Sequence, residues 1–294
     1  MALTVLEFLA LLCCGLSVYD AALHALSTAG TGGFSNYGDS IAAFNSVPVE
    51  IVITVFMFLF GVNFALYYKM IIGEKLKAFI HDEEFRWYFF IVITLILLLT
   101  LFNLPVYPNF GTSLRYASFQ ICSIISTTGF ATTSFLPWPV ASQMIIFIAL
   151  FFGSCEGSTA GGMKIVRISL LCKETGRNIR STGNPKKMEV VRLDHKAVDE
   201  TLIHQVIVFA FVYVALVILG GFVLSLEGKF DVLTNLSASL TCVSNVGPGF
   251  GELNASFAPY GPFGKLVCCV LMLAGRLELF PILILFTRSA WKKY

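Results

Sequence analysis

A short glycine-containing turn occurs three times in this chain, and this repetition constrains its fold more than any other feature. The turns read STAGTGGF at residues 27–34, STTGF at 126–130 and SNVGPG at 244–249. Each turn precedes a long apolar segment. Internal repeats of this kind mark one structural unit that is used several times. The sequence therefore predicts three copies of one unit, each built around a turn.

The positions around the turns also repeat. With the turns aligned on Gly33, Gly129 and Gly247, a residue that can cap a helix stands 16 positions earlier each time, and these residues are Ser17, Ser113 and Asp231. A glycine of the following apolar segment stands 28, 24 and 28 positions later, and these glycines are Gly61, Gly153 and Gly275. We therefore expect each turn to follow a short capped helix.

Composition places the repeated unit in a membrane. Hydrophobic residues make up 56% of the 294 residues and charged residues 13%, whereas a soluble domain averages roughly 25% charged residues. The mean hydropathy is +0.80. The eight cysteines form no CxxC pair and the four histidines show no ligand spacing, which argues against a metal centre. The apolar segments carry no HExxH motif or paired aspartates, so we expect no enzyme.

The predicted fold is an all-α polytopic membrane protein. A helix of about eleven residues rises roughly 16 Å, half of a bilayer, so the short helices are expected to enter the membrane and return. The predicted half-length helices cover 18–28, 113–126 and 232–243, and the predicted spans cover 49–72, 85–104, 202–226 and 262–287. The predicted units are 1–80, 81–172 and 201–294, with a basic cytoplasmic connector, 173–200, that forms a hairpin or an amphipathic helix.

Basic residues predict the orientation. Segments 69–86, 164–196 and 288–293 hold 4, 9 and 3 of the 20 Lys and Arg residues. None occurs in the opposite loops, which are 35–48, 103–111, 130–139 and 249–264. Because short cytoplasmic loops carry an excess of Lys and Arg, we expect the turns to face the outside and both ends of the chain to face the cytoplasm.

The turns have the composition of an ion filter. A half-span helix is tolerated only where protein or water lines it, and glycine allows the backbone to aim carbonyl oxygens at a shared axis. Rings of carbonyls replace the hydration shell that a cation loses. No carboxylate occurs in the turns, which favours a monovalent ion. The candidate ion-binding residues are Thr31, Gly32, Gly33, Thr127, Thr128, Gly129, Asn245, Val246 and Gly247. The alternative is that these glycines only permit close helix packing.

An interruption in one span is the candidate gate. Segment 153–164, GSCEGSTAGGMK, consists largely of small residues with poor helix propensity, and it lacks the GxxxxGK[ST] spacing of a phosphate-binding loop. Arg276 lies within the last apolar span, where an arginine normally faces protein or water. We expect it to hold the loop through carbonyl or Glu156 contacts. The alternative is a salt bridge to Glu278 or contact with another structural partner. The candidate gate residues are Gly153, Ser154, Glu156, Gly157, Ser158, Thr159, Gly161, Gly162 and Arg276.

The stretches HALSTAGTGGFS, FQICSIISTTGFATTS and TCVSNVGPGFGE resemble the second, third and fourth filter repeats of the TrkH/TrkG branch of the Trk/Ktr/HKT potassium transporters. The resemblance implies four repeats of an M1 helix, a re-entrant pore helix and an M2 helix around one pore with pseudo-fourfold symmetry. It implies potassium coordination by backbone carbonyls of the three turns. It also implies an intramembrane gate formed by a broken third M2 helix and an arginine of the fourth.

The same resemblance implies partners and location. Subunits of this type take up potassium across the bacterial cytoplasmic, or inner, membrane. They form homodimers on a cytosolic ring of nucleotide-binding, TrkA-like RCK regulatory subunits. We therefore expect no cofactor bound by this chain, potassium as the transported ion, and no nucleic-acid partner. The basic segment 164–196 either contacts an acidic partner or anionic lipid headgroups or simply reflects the topology.

The chain departs from the family pattern in one respect. Only three repeats are found, and the family's first repeat has no counterpart before Met1. We therefore expect a fragment, a truncated gene model or one part of a split protein. Two alternative functions remain open. One is a non-conducting fragment or assembly module that needs the first repeat. The other is a secondary transporter of a different monovalent cation, which predicts polar or charged ligands in the helix breaks.

Overall fold

A computed structural model of the chain describes residues 1–74, 77–184, 190–194, 196–254, 256–277 and 284. Within this part the chain is almost entirely helical. The α-helices in chain order are α1 Ala2–Cys13, α2 Val18–Ala29, α3 Val47–Phe60, α4 Phe64–Lys69, α5 Lys77–His81, α6 Glu83–Phe102, α7 Phe110–Ile125, α8 Val140–Ala149, α9 Ile165–Gly183, α10 Glu200–Ser225, α11 Val232–Ser244 and α12 Pro262–Arg276.

Each half-length helix packs between the helix before it and the helix after it. Helix α2 contacts α1 and α3, α7 contacts α6 and α8, and α11 contacts α10 and α12. More than half of the residues of α7 and of α11 are buried, including every residue of α11 from Ser237 to Ser244. The same local arrangement therefore occurs three times. The division into units at 80, 172 and 200 stays a prediction.

Two of the three predicted helix caps are confirmed. The Ser17 hydroxyl accepts a hydrogen bond from the backbone amide of Asp20 at the start of α2, and Asp231 caps α11 in the same way. The prediction for Ser113 is wrong, because α7 begins at Phe110, three residues before it. Ser113 instead donates a hydrogen bond of 2.9 Å to the carbonyl of Thr100 and joins α7 to α6.

Helices α6 and α10 are each long and apolar enough to cross a membrane. A third crossing is possible in the described part if Val47–Phe60 and Phe64–Gly73 form one span, although these two segments are bent by 89°. The sequence predicts an uninterrupted span over 49–72. The bend lies at Gly61, Val62 and Asn63, where the Asn63 side chain accepts a hydrogen bond from the amide of Ala65 and starts a new helix.

The interruption predicted at 153–164 lies between α8, which ends at Ala149, and α9, which begins at Ile165. The connector 173–200 contains both predicted forms. Helix α9 continues to Gly183, and a short antiparallel hairpin follows, with strands β1 Arg192–Leu193 and β2 Lys196–Ala197. Lys173 and Glu83 form an ion pair, and the amide of Glu83 donates to Asp194 at 2.9 Å, so the hairpin is held against the start of α6.

Candidate ion pathway

The three turns share one backbone conformation. In each turn the residue two positions before the aligned glycine has a left-handed backbone, with φ of 49° at Thr31, 55° at Thr127 and 58° at Asn245. The glycine two positions later also has positive φ, 66° at Gly33, 81° at Gly129 and 117° at Gly247. Positive φ is sterically open to glycine but costly for other residues. Aligning the three turns on these glycines therefore matches equivalent backbone positions.

The same hydrogen bond closes all three turns. The amide of the residue between the two left-handed positions donates to a carbonyl five residues earlier, as in a Schellman helix end. The bonds are Gly32 to Ser27 at 2.8 Å, Thr128 to Ser123 at 3.0 Å and Val246 to Thr241 at 3.0 Å. Each turn is thus fixed rigidly to the carboxyl end of its own short helix.

Neighbouring turns contact each other through their backbones. A Cβ atom added to Gly33 would lie 2.0 Å from the carbonyl oxygen of Thr128, and one added to Gly129 would lie 2.1 Å from that of Val246. Turn 27–34 therefore lies against turn 126–130, which in turn lies against 244–249. A Cβ atom at Gly247 would meet no described atom within 4 Å. Glycine is therefore required at positions 33 and 129 by contact between turns, and not by contact between long helices.

A cavity of about 660 Å³ opens above the three turns, on the side of the loops that follow them. All three turn glycines line it. Asp39 is the one charged residue among the described residues that line it. A single carboxylate at the mouth of an otherwise uncharged cavity favours cations over anions.

The candidate gate loop lies directly on the other side of the turns and contacts all three. The Thr31 hydroxyl donates to the carbonyl of Thr159 at 3.0 Å, and the amide of Gly161 donates to the Thr127 hydroxyl at 2.8 Å. A Cβ atom at Gly161 would lie 2.6 Å from the carbonyl oxygen of Ser244. Only a loop of small residues can lie this close to the turns.

Arg276 is bonded to the same loop carbonyl. Its Nη1 atom donates to the carbonyl of Thr159 at 3.0 Å, and the Lys164 ammonium donates to the carbonyl of Ala160. These residues line a second cavity of about 250 Å³, on the far side of the loop from the turns. The carbonyl contact expected for Arg276 is therefore present, whereas the alternative partner Glu278 lies outside the described residues.

The predicted gate residue Glu156 is anchored by its backbone. Its amide donates to Glu84 at 2.5 Å, and the backbone amide of Val166 also bonds the Glu84 carboxyl. Glu84 is 7% exposed, so this one carboxyl connects the loop to the amino terminus of α9, an end of a helix that favours negative charge. No sequence motif marks Glu84, and its only signal is an acidic residue at the start of an apolar span.

The remaining loop contacts fix its two ends. Ser154 donates to the carbonyl of Ile125 at 2.9 Å, and a Cβ atom at Gly153 would lie 2.4 Å from the carbonyl of Gly161. The other predicted span glycines also mark close approaches. Gly275 faces the carbonyl of Val243, and Gly61 faces Tyr88 and Ser154. Gly157, Ser158 and Gly162 belong to the same loop, with positive φ at both glycines.

The described residues contain no group of three His, Cys, Asp or Glu side chains that could hold a metal ion.

Comparison with known proteins identifies the family of this chain. The family model TrkH, described as a cation transport protein, matches residues 14–293. The Trk system potassium uptake protein TrkH of Salmonella typhimurium is 33% identical over 99% of this chain, and TrkG of Escherichia coli is 32% identical over 95%. The crystal structure of the potassium transporter TrkH from Vibrio parahaemolyticus matches 99% of this chain with a TM-score of 0.94 and 32% identity. The chain covers 60%, 57% and 63% of these proteins, respectively. The chain is thus a multi-pass membrane protein that belongs to the TrkH family of cation transport proteins.

Proposed function

We propose that this chain forms the ion path of a potassium uptake subunit in the bacterial cytoplasmic membrane. The observation that carries the proposal is the contact between three turns of identical backbone conformation, each at the end of a buried half-length helix. The choice of potassium as the ion rests on the relatives, which are named potassium uptake proteins. The turns face the outside and both ends of the chain face the cytoplasm.

The filter in this proposal consists of backbone oxygens of the three turns. Moving a bare cation into a low-dielectric interior costs tens of kcal/mol, and fixed carbonyls offset that cost without rearrangement. The carboxyl ends of α2, α7 and α11 add partial negative charge. The family resemblance implies a ring of four turns. The fourth turn in this proposal lies between Gly247 and turn 27–34. That position agrees with the free space beside Gly247.

The gate is the loop 153–164 together with Arg276. In the closed state the loop separates the 660 Å³ cavity from the 250 Å³ cavity. Positive charge from Arg276 and Lys164 opposes potassium there. Opening requires the Arg276–Thr159 bond to break and the loop to leave Thr31 and Thr127. The polar bonds between loop and turns make the filter and the gate one mechanical unit.

Regulation is proposed to enter from the cytoplasmic end of α9. This helix begins at the gate loop and carries Lys173 at its middle and Arg177 one turn further on, and these two residues pair with acids of α6, α9 and α10. A homodimer on a ring of nucleotide-binding regulatory subunits, as the family resemblance implies, would move the gate by shifting α9. The chain itself needs no bound cofactor in this scheme.

Growth of a bacterium that lacks its own potassium uptake systems tests the proposal. Cells that express the protein should grow at low external potassium and should accumulate rubidium tracer, while sodium at equal concentration should not replace potassium. Arg115→Lys keeps the charge of a residue outside the turns and the loop, and it should behave like the parent. Correct membrane insertion without any rescue would favour the assembly-module alternative, and rescue by sodium would favour a transporter of a different cation.

A further inference from the structure

A carboxyl group lies buried in α1 without any hydrogen-bond partner among the described residues. Glu7 is 0% exposed, and neither of its carboxyl oxygens has a partner. It is the only charged side chain of α1, where it and Leu11 form the buried face. An ionised carboxylate in such surroundings is very costly. The neutral acid is the form that this site accommodates.

The nearest polar neighbour of Glu7 is the end of the first short helix. The Thr28 hydroxyl faces the carboxyl but donates to the carbonyl of His24 at 2.8 Å. The carbonyl of Thr28 in turn accepts the amide of Thr31 at 3.0 Å. Glu7 therefore lies beside Thr28, whose carbonyl is hydrogen-bonded to Thr31 in turn 27–34.

No other charge in the described structure balances Glu7. Helix α1 packs against α2 and α3, and the acidic and histidine side chains on those helices have other partners. They are Asp20, bonded to Ser17 and Asn36; His24, in contact with the Asp20 carbonyl and Ser35; and Glu50, paired with Arg115.

We propose that Glu7 is a proton-binding site that controls turn 27–34. With the proton bound, the neutral acid leaves the Thr28 hydroxyl on His24 and the turn keeps its closed hydrogen bonds. When the proton is lost to water, the new carboxylate attracts the Thr28 hydroxyl, and the last turn of α2 loses the hydrogen bond from that hydroxyl to the His24 carbonyl. Potassium uptake then falls at alkaline pH. This effect on uptake rests on the proposed function, whereas the proton site itself does not.

An apolar carbodiimide reports proton occupancy directly, because it adds to a protonated carboxyl group and leaves a stable N-acylurea. We expect mass spectrometry of the purified protein to find dicyclohexylcarbodiimide on Glu7 at acidic pH and to find labelling reduced about tenfold per pH unit once the acid titrates. Glu7→Gln removes the label from this peptide. Labelling of Glu7 that is equal at acidic and alkaline pH, or no labelling at any pH, overturns the proposal.

Rubidium uptake supplies the second readout. Parent protein should lose uptake as the pH rises, whereas Glu7→Gln, which mimics the neutral acid, should keep the acidic rate at every pH. Glu252→Gln, an exposed carboxyl in the outer loops, should retain the parent's profile. If Glu7→Gln does not reach the membrane, Glu7→Met offers a neutral chain of similar size with the same flat profile expected. Identical pH profiles in parent and Glu7 variants overturn the proposal. A protein that carries the pH-dependent label but transports no potassium refutes the proposed function alone.

Discussion

Gly33→Ala tests the contact between the first two turns. The added Cβ atom would lie 2.0 Å from the Thr128 carbonyl oxygen, and ordinary contact begins at 3.4 Å, so the two backbones must separate by about 1.4 Å. Neither atom belongs to a flexible side chain. A shift of about 1 Å in positioned groups costs on the order of 100-fold in a process that depends on them. We expect a loss of that order in potassium uptake and a lower preference for potassium over sodium.

Gly228→Ala is a matched control. Gly228 has the same φ of 66° as Gly33, but a Cβ atom there would meet nothing within 4 Å. Both substitutions carry the backbone strain of a left-handed alanine, about 1–2 kcal/mol, and only Gly33→Ala carries the clash. Rubidium tracer uptake, normalised to protein in the membrane, compares the two. Equal uptake by Gly33→Ala and Gly228→Ala would refute the claim that the turns form a tightly packed filter.

Three further predictions concern the gate and the outer loops. Arg276→Ala should raise rubidium uptake roughly tenfold or more, since a hydrogen bond from a charged donor is worth about 1.5–3 kcal/mol. Lys265→Ala, on the same helix, should leave uptake unchanged. Unchanged uptake in a folded Arg276→Ala protein would reject the proposed gate. Glu84→Gln should also raise uptake, about tenfold, because one of the two amides bonded to this carboxyl, those of Glu156 and Val166, loses its acceptor, whereas Glu252→Gln, in the exposed outer loops, should leave the rate unchanged. The backbone amides of Gly261 and Gly264 hold the pKa of Glu227 below its ordinary value, so Glu227→Gln should lower Tm at neutral pH. The difference in Tm from the parent should vanish as the pH falls through the lowered pKa, because the carboxylate of the parent then becomes a neutral acid.

The repeated turns could be predicted from the sequence because their requirements are local. A left-handed backbone needs glycine or a tolerant residue at fixed positions, and a helix start needs a capping side chain, as at Ser17 and Asp231. The interruption before α9 was visible for the same reason, since small residues do not sustain a helix. The constant spacing of 16 residues predicted a wrong helix cap at Ser113, because α7 begins one turn earlier than the spacing of the other two repeats implies.

The contacts between distant residues could not be predicted from the sequence. The Thr159 carbonyl accepts bonds from Thr31 and Arg276, which are 128 and 117 residues away. No local pattern encodes such a meeting. Glu84 holds Glu156 from 72 residues away, and an acidic residue at a helix start has an ordinary explanation as a favourable charge at that end. The bend at Gly61–Asn63 was also missed, because apolar composition continues through it.

The most direct test of the central claim is to locate the ion. Crystals of the protein grown in rubidium, measured at the rubidium absorption edge, would show bound monovalent ions by anomalous scattering. We predict a peak among the three turns, at coordinating distance from backbone oxygens of turns 27–34, 126–130 and 244–249, and a weaker peak in Gly33→Ala. Rubidium bound elsewhere, for example only beside Asp39, with none among turns that keep the backbone described here, would contradict it.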